Sequence, residues 1–81
     1  MIANLWFFDA SKNSDKTYDV CLDQVQGTYC VYALFGRRGA RHQSLFQIYS
    51  GNDQVQAVRA YDKKLNEQLR QGYKVCTPVA A

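Results

Sequence analysis

Thr17-Tyr18-Asp19-Val20-Cys21-Leu22-Asp23-Gln24-Val25-Gln26-Gly27-Thr28-Tyr29-Cys30-Val31-Tyr32-Ala33-Leu34-Phe35 contains two strand-like runs joined at one tight turn. In the first run Tyr18, Val20 and Leu22 alternate with Asp19, Cys21 and Asp23. That period of two is the mark of a strand with one covered face. Gln26-Gly27 supplies the turn, because glycine takes a positive φ without steric cost. The second run, Thr28 to Phe35, is apolar on both faces, with Val31, Ala33 and Phe35 opposed to Cys30, Tyr32 and Leu34. A strand of that kind is expected to be central and covered on both sides. The two runs predict a hairpin in an antiparallel sheet.

Working outward, Gly36-Arg37-Arg38-Gly39-Ala40-Arg41-His42-Gln43 interrupts the pattern, and Ser44 to Tyr49 resumes it. Phe46 and Ile48 fall on one face, Leu45 and Tyr49 on the other. Upstream, Asn4 to Phe8 predicts a short first strand or an ordered arm. Asp9 to Lys16 reads as a loop, since Asp, Ser and Asn side chains compete for backbone hydrogen bonds. Downstream the period changes. Val55, Val58, Tyr61, Leu65 and Leu69 recur every three or four residues and predict a helix from about 53 to 71. Ser50 with Asp53 resembles a capping box, and Asn52 or Asp53 can equally serve as the N-cap. Gly72 suits the position after the helix, and Tyr73 to Val75 a last short strand or anchor. The expected fold is α+β: a curved antiparallel sheet of four to five strands with one long helix packed on it.

The chain has 81 residues, room for one domain over residues 1–81, with Thr77 to Ala81 expected as a loose tail. With 47% hydrophobic, 14% aromatic and 21% charged residues, the composition is that of a folded domain rather than a disordered one. Net charge is +3, unevenly placed. Residues 1–35 carry −2, residues 36–50 carry +3 and residues 51–81 carry +2. A local basic patch steers polyanions even when the total is small. Cys21, Cys30 and Cys76 are odd in number and lack Cys-x-x-Cys spacing, and there is one histidine. Neither a zinc site nor a disulfide framework is expected; the three read as small apolar residues in a reducing compartment. Ile2 to Phe8 is too short for a signal or spanning segment, so a soluble, cytoplasmic protein without membrane association is expected.

One family carries these motifs in this order. A hairpin strand runs into Phe35-Gly36-Arg37-Arg38-Gly39, a strand and a helix follow, and the helix ends at Gly72-Tyr73, with Lys16-Thr17-Tyr18 upstream. This resembles the WGR domain, whose signature is a strand ending in Trp-Gly-Arg-x-Gly. Lys16, Tyr18, Gly36, Arg37, Gly39, Gly72 and Tyr73 match, and the resemblance covers about residues 13–76. It is a module of the poly(ADP-ribose) polymerases, where it binds near DNA breaks. The resemblance implies a curved sheet with one helix and nucleic-acid binding. It also implies that the motif tryptophan packs on a sugar at a strand end, and that the motif arginine meets backbone or a neighbouring domain. Phe35 stands in the tryptophan's place, keeping a ring face but losing area and the indole donor.

The candidate site residues are Phe35, Gly36, Arg37, Arg38, Gly39, Arg41, His42, Gln43 and Lys16. Arginines clamp phosphate bidentately and supply most sequence-independent nucleic-acid affinity. Phe35 is placed to stack on a sugar or to pack a strand end. His42, Gln43 and Lys16 are polar contacts or plain surface. No carboxylate or nucleophile stands beside His42 in sequence, so no catalysis and no cofactor or metal is expected. Tyr29, Tyr32, Tyr49 and Tyr61 read as core and sheet residues, and Lys63-Lys64 as a solvated helix face. The expected function is a non-catalytic module contacting the phosphate backbone of DNA, or of RNA, near ends or nicks. The alternative is a protein-interaction module whose basic loop meets an acidic partner surface.

Overall fold

In a computed structural model, which describes residues 1–76, the chain forms five strands and one helix. The strands are β1 (Ile2–Asp9), β2 (Ser14–Val25), β3 (Thr28–Arg37), β4 (Ser44–Gly51) and β5 (Lys74–Val75); the helix, α1, spans Gln54–Arg70. They form one sheet in the order β4-β3-β2-β1-β5, antiparallel at every pairing. The expected α+β architecture is present, with five strands. The expected tail, Thr77 to Ala81, lies outside the described residues.

The hairpin forms at the anticipated turn. Val25 pairs with Thr28, and both loop residues take positive φ, 51° at Gln26 and 79° at Gly27. Positive φ at both loop positions is the turn whose twist matches the flanking strands. From there β2 and β3 stay in register to Lys16↔Arg37. Asp9 to Lys16 is more ordered than a loop. Asp9 caps a single 3-10 turn, Ala10–Lys12, by accepting the Ser11 N–H at 3.0 Å, and Asn13 turns the chain with φ 52°. Strand pairing then resumes at Ser14. The Asx-type local bonding expected of this stretch therefore closes a tight β1–β2 connection rather than an open loop.

The core lies between the sheet and α1. It consists of Leu5, Tyr18, Val20, Leu22, Val31 and Ala33 from the strands, with Ala57 and Tyr61 from the helix. Each fully buried aliphatic side chain, such as Leu5, Val20 or Val31, contributes about 1.5–3 kcal/mol through removal from water. Leu5 makes β1 an integral strand and not an appended arm. Alanines at 33 and 57, both fully buried, let the helix approach the sheet closely.

Two expectations change. The helix turns Ala57, Tyr61 and Gln68 inward, with Val58, Ala60 and Leu65 partly buried, while Val55 and Leu69 stay exposed. The periodic apolar set located the helix but misplaced its face at both ends: Val55 lies outside the core, and in the last turn Gln68 rather than Leu69 faces the sheet. Secondly, β3 is covered on one face only. Its other face, with Cys30, Tyr32 and Leu34 half-buried, meets no further element among the described residues. Tyr32 lies along the sheet there, opposite Cys21, and donates its hydroxyl to Asp23 Oδ2 at 2.6 Å. That bond pushes the Tyr32 phenol up to about 12 and leaves Cys21 at 4% exposure. A tyrosine lying flat thus replaces a second layer.

Both helix ends follow the sequence signals. Asp53 is the N-cap, its Oδ1 accepting from Val55 N at 2.9 Å and Gln56 N at 3.2 Å. At the other end Gly72, at φ 106°, donates to Leu69 O and Tyr73 donates to Gln68 O, each at 3.2 Å. This is the paired bonding of a Schellman motif. It sends Tyr73 back against Phe7 and Tyr18, at centroid distances of 5.5 and 5.8 Å.

Urea unfolding separates these contributions. Leu5→Ala, at a side chain with 0% exposure, is expected to cost about 2–5 kcal/mol, and Asp53→Ala about 1 kcal/mol. A Leu5→Ala cost no larger than that of the cap would show β1 to be peripheral.

Candidate functional site

The end of the β2–β3 ladder carries the candidate residues. The register places Lys16 opposite Arg37, Thr17 opposite Gly36 and Tyr18 opposite Phe35. Side chains alternate across a strand, so Lys16, Tyr18, Phe35 and Arg37 lie on the helix side, while Asp15 and Arg38 turn to the open face. The arginines at 37 and 38 are thereby sent to opposite sides of the sheet.

On the open face Arg38 is fully engaged. Its Nε donates to Asp15 Oδ1 at 2.8 Å and Oδ2 at 3.0 Å, and its Nη2 to Oδ2 at 2.8 Å. Trp6 donates its indole N–H to the same carboxylate at 2.7 Å, and the guanidinium sits 5.6 Å from the Trp6 ring centroid. The Arg38 backbone N–H also donates to Asp15 O at 2.9 Å. Arg38 is therefore a structural clamp that fixes the start of the loop to β2. The hydrogen bonds from Arg38 and Trp6 hold the Asp15 carboxyl down at about 2. Trp6 was read in sequence only as a strand residue. As the only tryptophan of the chain it was a signal, since a partly exposed indole needs a partner for its N–H.

Lys16 and Arg37, on the helix side, and Arg41 in the loop are held less tightly. No ion pair among the described residues engages Lys16, Arg37 or Arg41. Lys16 Nζ sits 5.3 Å from the Phe7 ring centroid, and Arg37 Nη1 donates to Asn13 O at 3.3 Å. Asn13, Ser14, Asp15, Lys16, Gly36 and Arg37 line an open depression of about 340 Å³. Behind it Phe35 stacks on Tyr18, centroids 5.3 Å apart and planes at 14°, so one face of Phe35 is already used. Phe7 and Tyr73 continue this aromatic group.

The loop is closed from within. Gln43 Nε2 donates to Arg37 O at 3.1 Å and Ala40 O at 3.4 Å, and its Oε1 is buried with no partner among the described residues. The Gln43 side chain lies over Gly36, where a Cβ would fall 2.7 Å from Oε1. A side chain at position 36 would require the end of the Gln43 side chain to move aside. Gly39, at φ 79°, turns the loop. Arg41 and His42 are exposed and make no side-chain hydrogen bond among the described residues. The structure therefore brings Lys16, Arg37 and Gly36 together, sets Arg38 apart on Asp15 and Trp6, and leaves Arg41 and His42 projecting at the loop tip. Among the described residues no group of three or more His, Cys, Asp or Glu is placed to hold a metal ion. No helix among them is long and apolar enough to cross a membrane.

The Asp15 clamp has a pH signature. A depressed carboxyl stabilises the folded state fully above the ordinary carboxyl value of 3.8, and that contribution disappears as pH falls toward about 2. Asp15→Asn is expected to be less stable than the parent at neutral pH, with the difference closing across that interval. A carboxyl-carbon NMR titration should find the Asp15 midpoint near 2; a midpoint at the ordinary value would mean that the clamp is open in solution.

Comparison with known proteins adds a family. No curated protein and no solved structure matches the chain. The family model of the WGR domain matches residues 1–78, a wider span than the motif-bearing stretch because it takes in β1. With the sheet-and-helix architecture and the strand-end loop in place, the chain belongs to the WGR domain family, a module known to bind nucleic acid.

Proposed function

We propose that this domain binds the sugar–phosphate backbone of nucleic acid at the helix-side end of β2 and β3. The observation that supports this most is the direct opposition of Lys16 and Arg37. Like charges facing each other across two strands destabilise a sheet; neither side chain is in an ion pair among the described residues, and the Asp15 carboxylate near Arg37 is held by Arg38 and Trp6. A phosphate in the depression they line relieves the repulsion and gains charge-assisted hydrogen bonds. Arg41 extends the cationic surface from the loop tip, where His42 adds a polar ring beside it. Arg38 acts indirectly, holding the loop through Asp15. Phe35 offers a sugar at a DNA end or nick only the part of its ring that Tyr18 leaves free, and the buried Tyr18 backs that ring from the core. The role is that of a binding module and not an enzyme.

The reading is tested by fluorescence anisotropy with blunt, nicked and single-stranded DNA across a salt series. Each phosphate contact contributes about 0.9 to the slope of log affinity against log salt on duplex DNA. Lys16→Ala/Arg37→Ala is expected to flatten that slope by about 2 contacts' worth. Arg38→Ala should weaken binding only in proportion to the disorder it brings to the loop. Absence of binding at low salt, or an unchanged slope in the double variant, would sink the proposal. Retention of an acidic protein after nuclease treatment, without DNA binding, would transfer the same loop to a protein partner.

A further inference from the structure

The two edges of the sheet are finished differently. One is β5, two residues long, which offers little backbone to a further strand. The other is β4, eight residues long and, among the described residues, bonded only to β3. Edge strands of this length are commonly guarded by lysine, proline or a bulge. Residues 43–52 contain no charged residue and no proline. The single guard is an extra residue, Ile48, where the pairing steps from Val31↔Tyr49 to Tyr32↔Gln47. Ser44 to Gln47 remains a regular edge, and its Leu45 and Phe46 are 67% and 51% exposed.

Depressions flank that edge on both sides. On the open face one of about 360 Å³ is lined by Cys30, Tyr32, Leu45, Gln47 and Ser50. On the helix face another, of about 310 Å³, lies between Phe46 and Ile48 of β4 and Ala60, Lys63, Lys64 and Glu67 of α1. Lys64 leans across it, with Nζ 3.2 Å from Glu67 and 5.6 Å from the Phe46 ring centroid. Lys63 is exposed and in no ion pair among the described residues. A strand added to β4 sends alternate side chains to the two faces, and these faces differ in chemistry: largely apolar on one, and on the other an apolar floor edged by two lysines and one glutamate, a net positive rim.

We propose that β4 is a strand-addition site for an extended protein segment in which aliphatic and acidic residues alternate. Backbone hydrogen bonds to Ser44–Gln47 hold the segment. Its aliphatic side chains cover Leu45 and the Cys30–Tyr32 depression, and its carboxylates meet Lys63 and Lys64. Main-chain pairing supplies affinity and the alternate side chains supply selectivity, as in other strand-addition complexes. A second copy of this chain is a poorer occupant. Its own β4 has no acid to offer, and antiparallel pairing of two copies would draw the lysines of both helices together. The site shares no side chain with the Lys16–Arg37 depression, so it stands independently of the nucleic-acid reading.

The probe is a capped nonapeptide of alternating glutamate and valine, added to the full chain and followed by NMR shifts and amide exchange. Binding is expected to shift β4 and the α1 residues around Lys63 and to slow exchange in Ser44–Gln47. Alternate backbone N-methylation of the peptide should weaken it by at least about tenfold, and so should Lys63→Glu/Lys64→Glu in the protein. A lysine–valine peptide should not bind. Three results would overturn the proposal: no change in β4 at millimolar peptide, equal binding of the N-methylated peptide, or concentration-dependent dimerisation that protects β4 without peptide. If the double variant does not fold, the peptide comparisons on the parent protein still decide the question.

Discussion

The register between β2 and β3 is the constraint on which the rest depends. It runs unbroken from the two-residue turn at Gln26-Gly27 to Lys16↔Arg37. A slip of one residue would carry Tyr18, Val20 and Leu22 from the helix face to the open face. It would equally move Lys16 away from Arg37 and separate Arg38 from Asp15. Core and site are therefore specified together. The turn counts the residues, and burial of Val20 and Val31 enforces the count.

The same alternation explains why consecutive arginines have different tasks. Arg38 enters an assembly in which one carboxylate accepts from a guanidinium and an indole. Arg37, one residue earlier and on the opposite face, has only a long contact to a backbone carbonyl. The Arg38 charge is consumed by the structure, and the Arg37 charge is in no ion pair among the described residues. Fixing Arg38 on Asp15 holds the start of the loop in one shape, which a loop of mutually repelling arginines would not hold by itself.

Gly72 and Tyr73 show how a short motif acts at a distance. The Schellman ending of α1 is a local event, yet it directs Tyr73 onto Phe7 and Tyr18, and Tyr18 supports Phe35. The Gly-Tyr at the helix end and the Phe-Gly-Arg at the strand end thus belong to one aromatic group behind the cationic depression. A phenylalanine at position 35 fits this group by stacking alone. The indole N–H function of the chain resides instead at Trp6, on the other face, where it serves Asp15.

The sequence by itself determined the periods of the hairpin strands and the helix, the hairpin turn, the Gly72 helix ending and the concentration of positive charge after Phe35, and it left the N-cap between Asn52 and Asp53. These depend on neighbours within a few residues, where propensity and backbone geometry act directly. It also carried the family motifs, since those are short runs in fixed order. The structure decided what depends on strand pairing and layer count. Asp15 meets Arg38 across 23 positions, and Lys16 faces Arg37 across 21, through ladder register alone. The apolar second face of β3 suggested a covering layer, yet periodicity cannot tell a buried face from one shielded by a tyrosine lying along the sheet. The helix face was legible at its centre, Tyr61, and misplaced at its ends, because which side chains of the end turns face the sheet is set by how the helix is docked: Gln68 turns inward and Leu69 outward. Burial and charge pairing are properties of the assembled layers, and only their assembly divided the basic loop into a clamp and a free cationic surface.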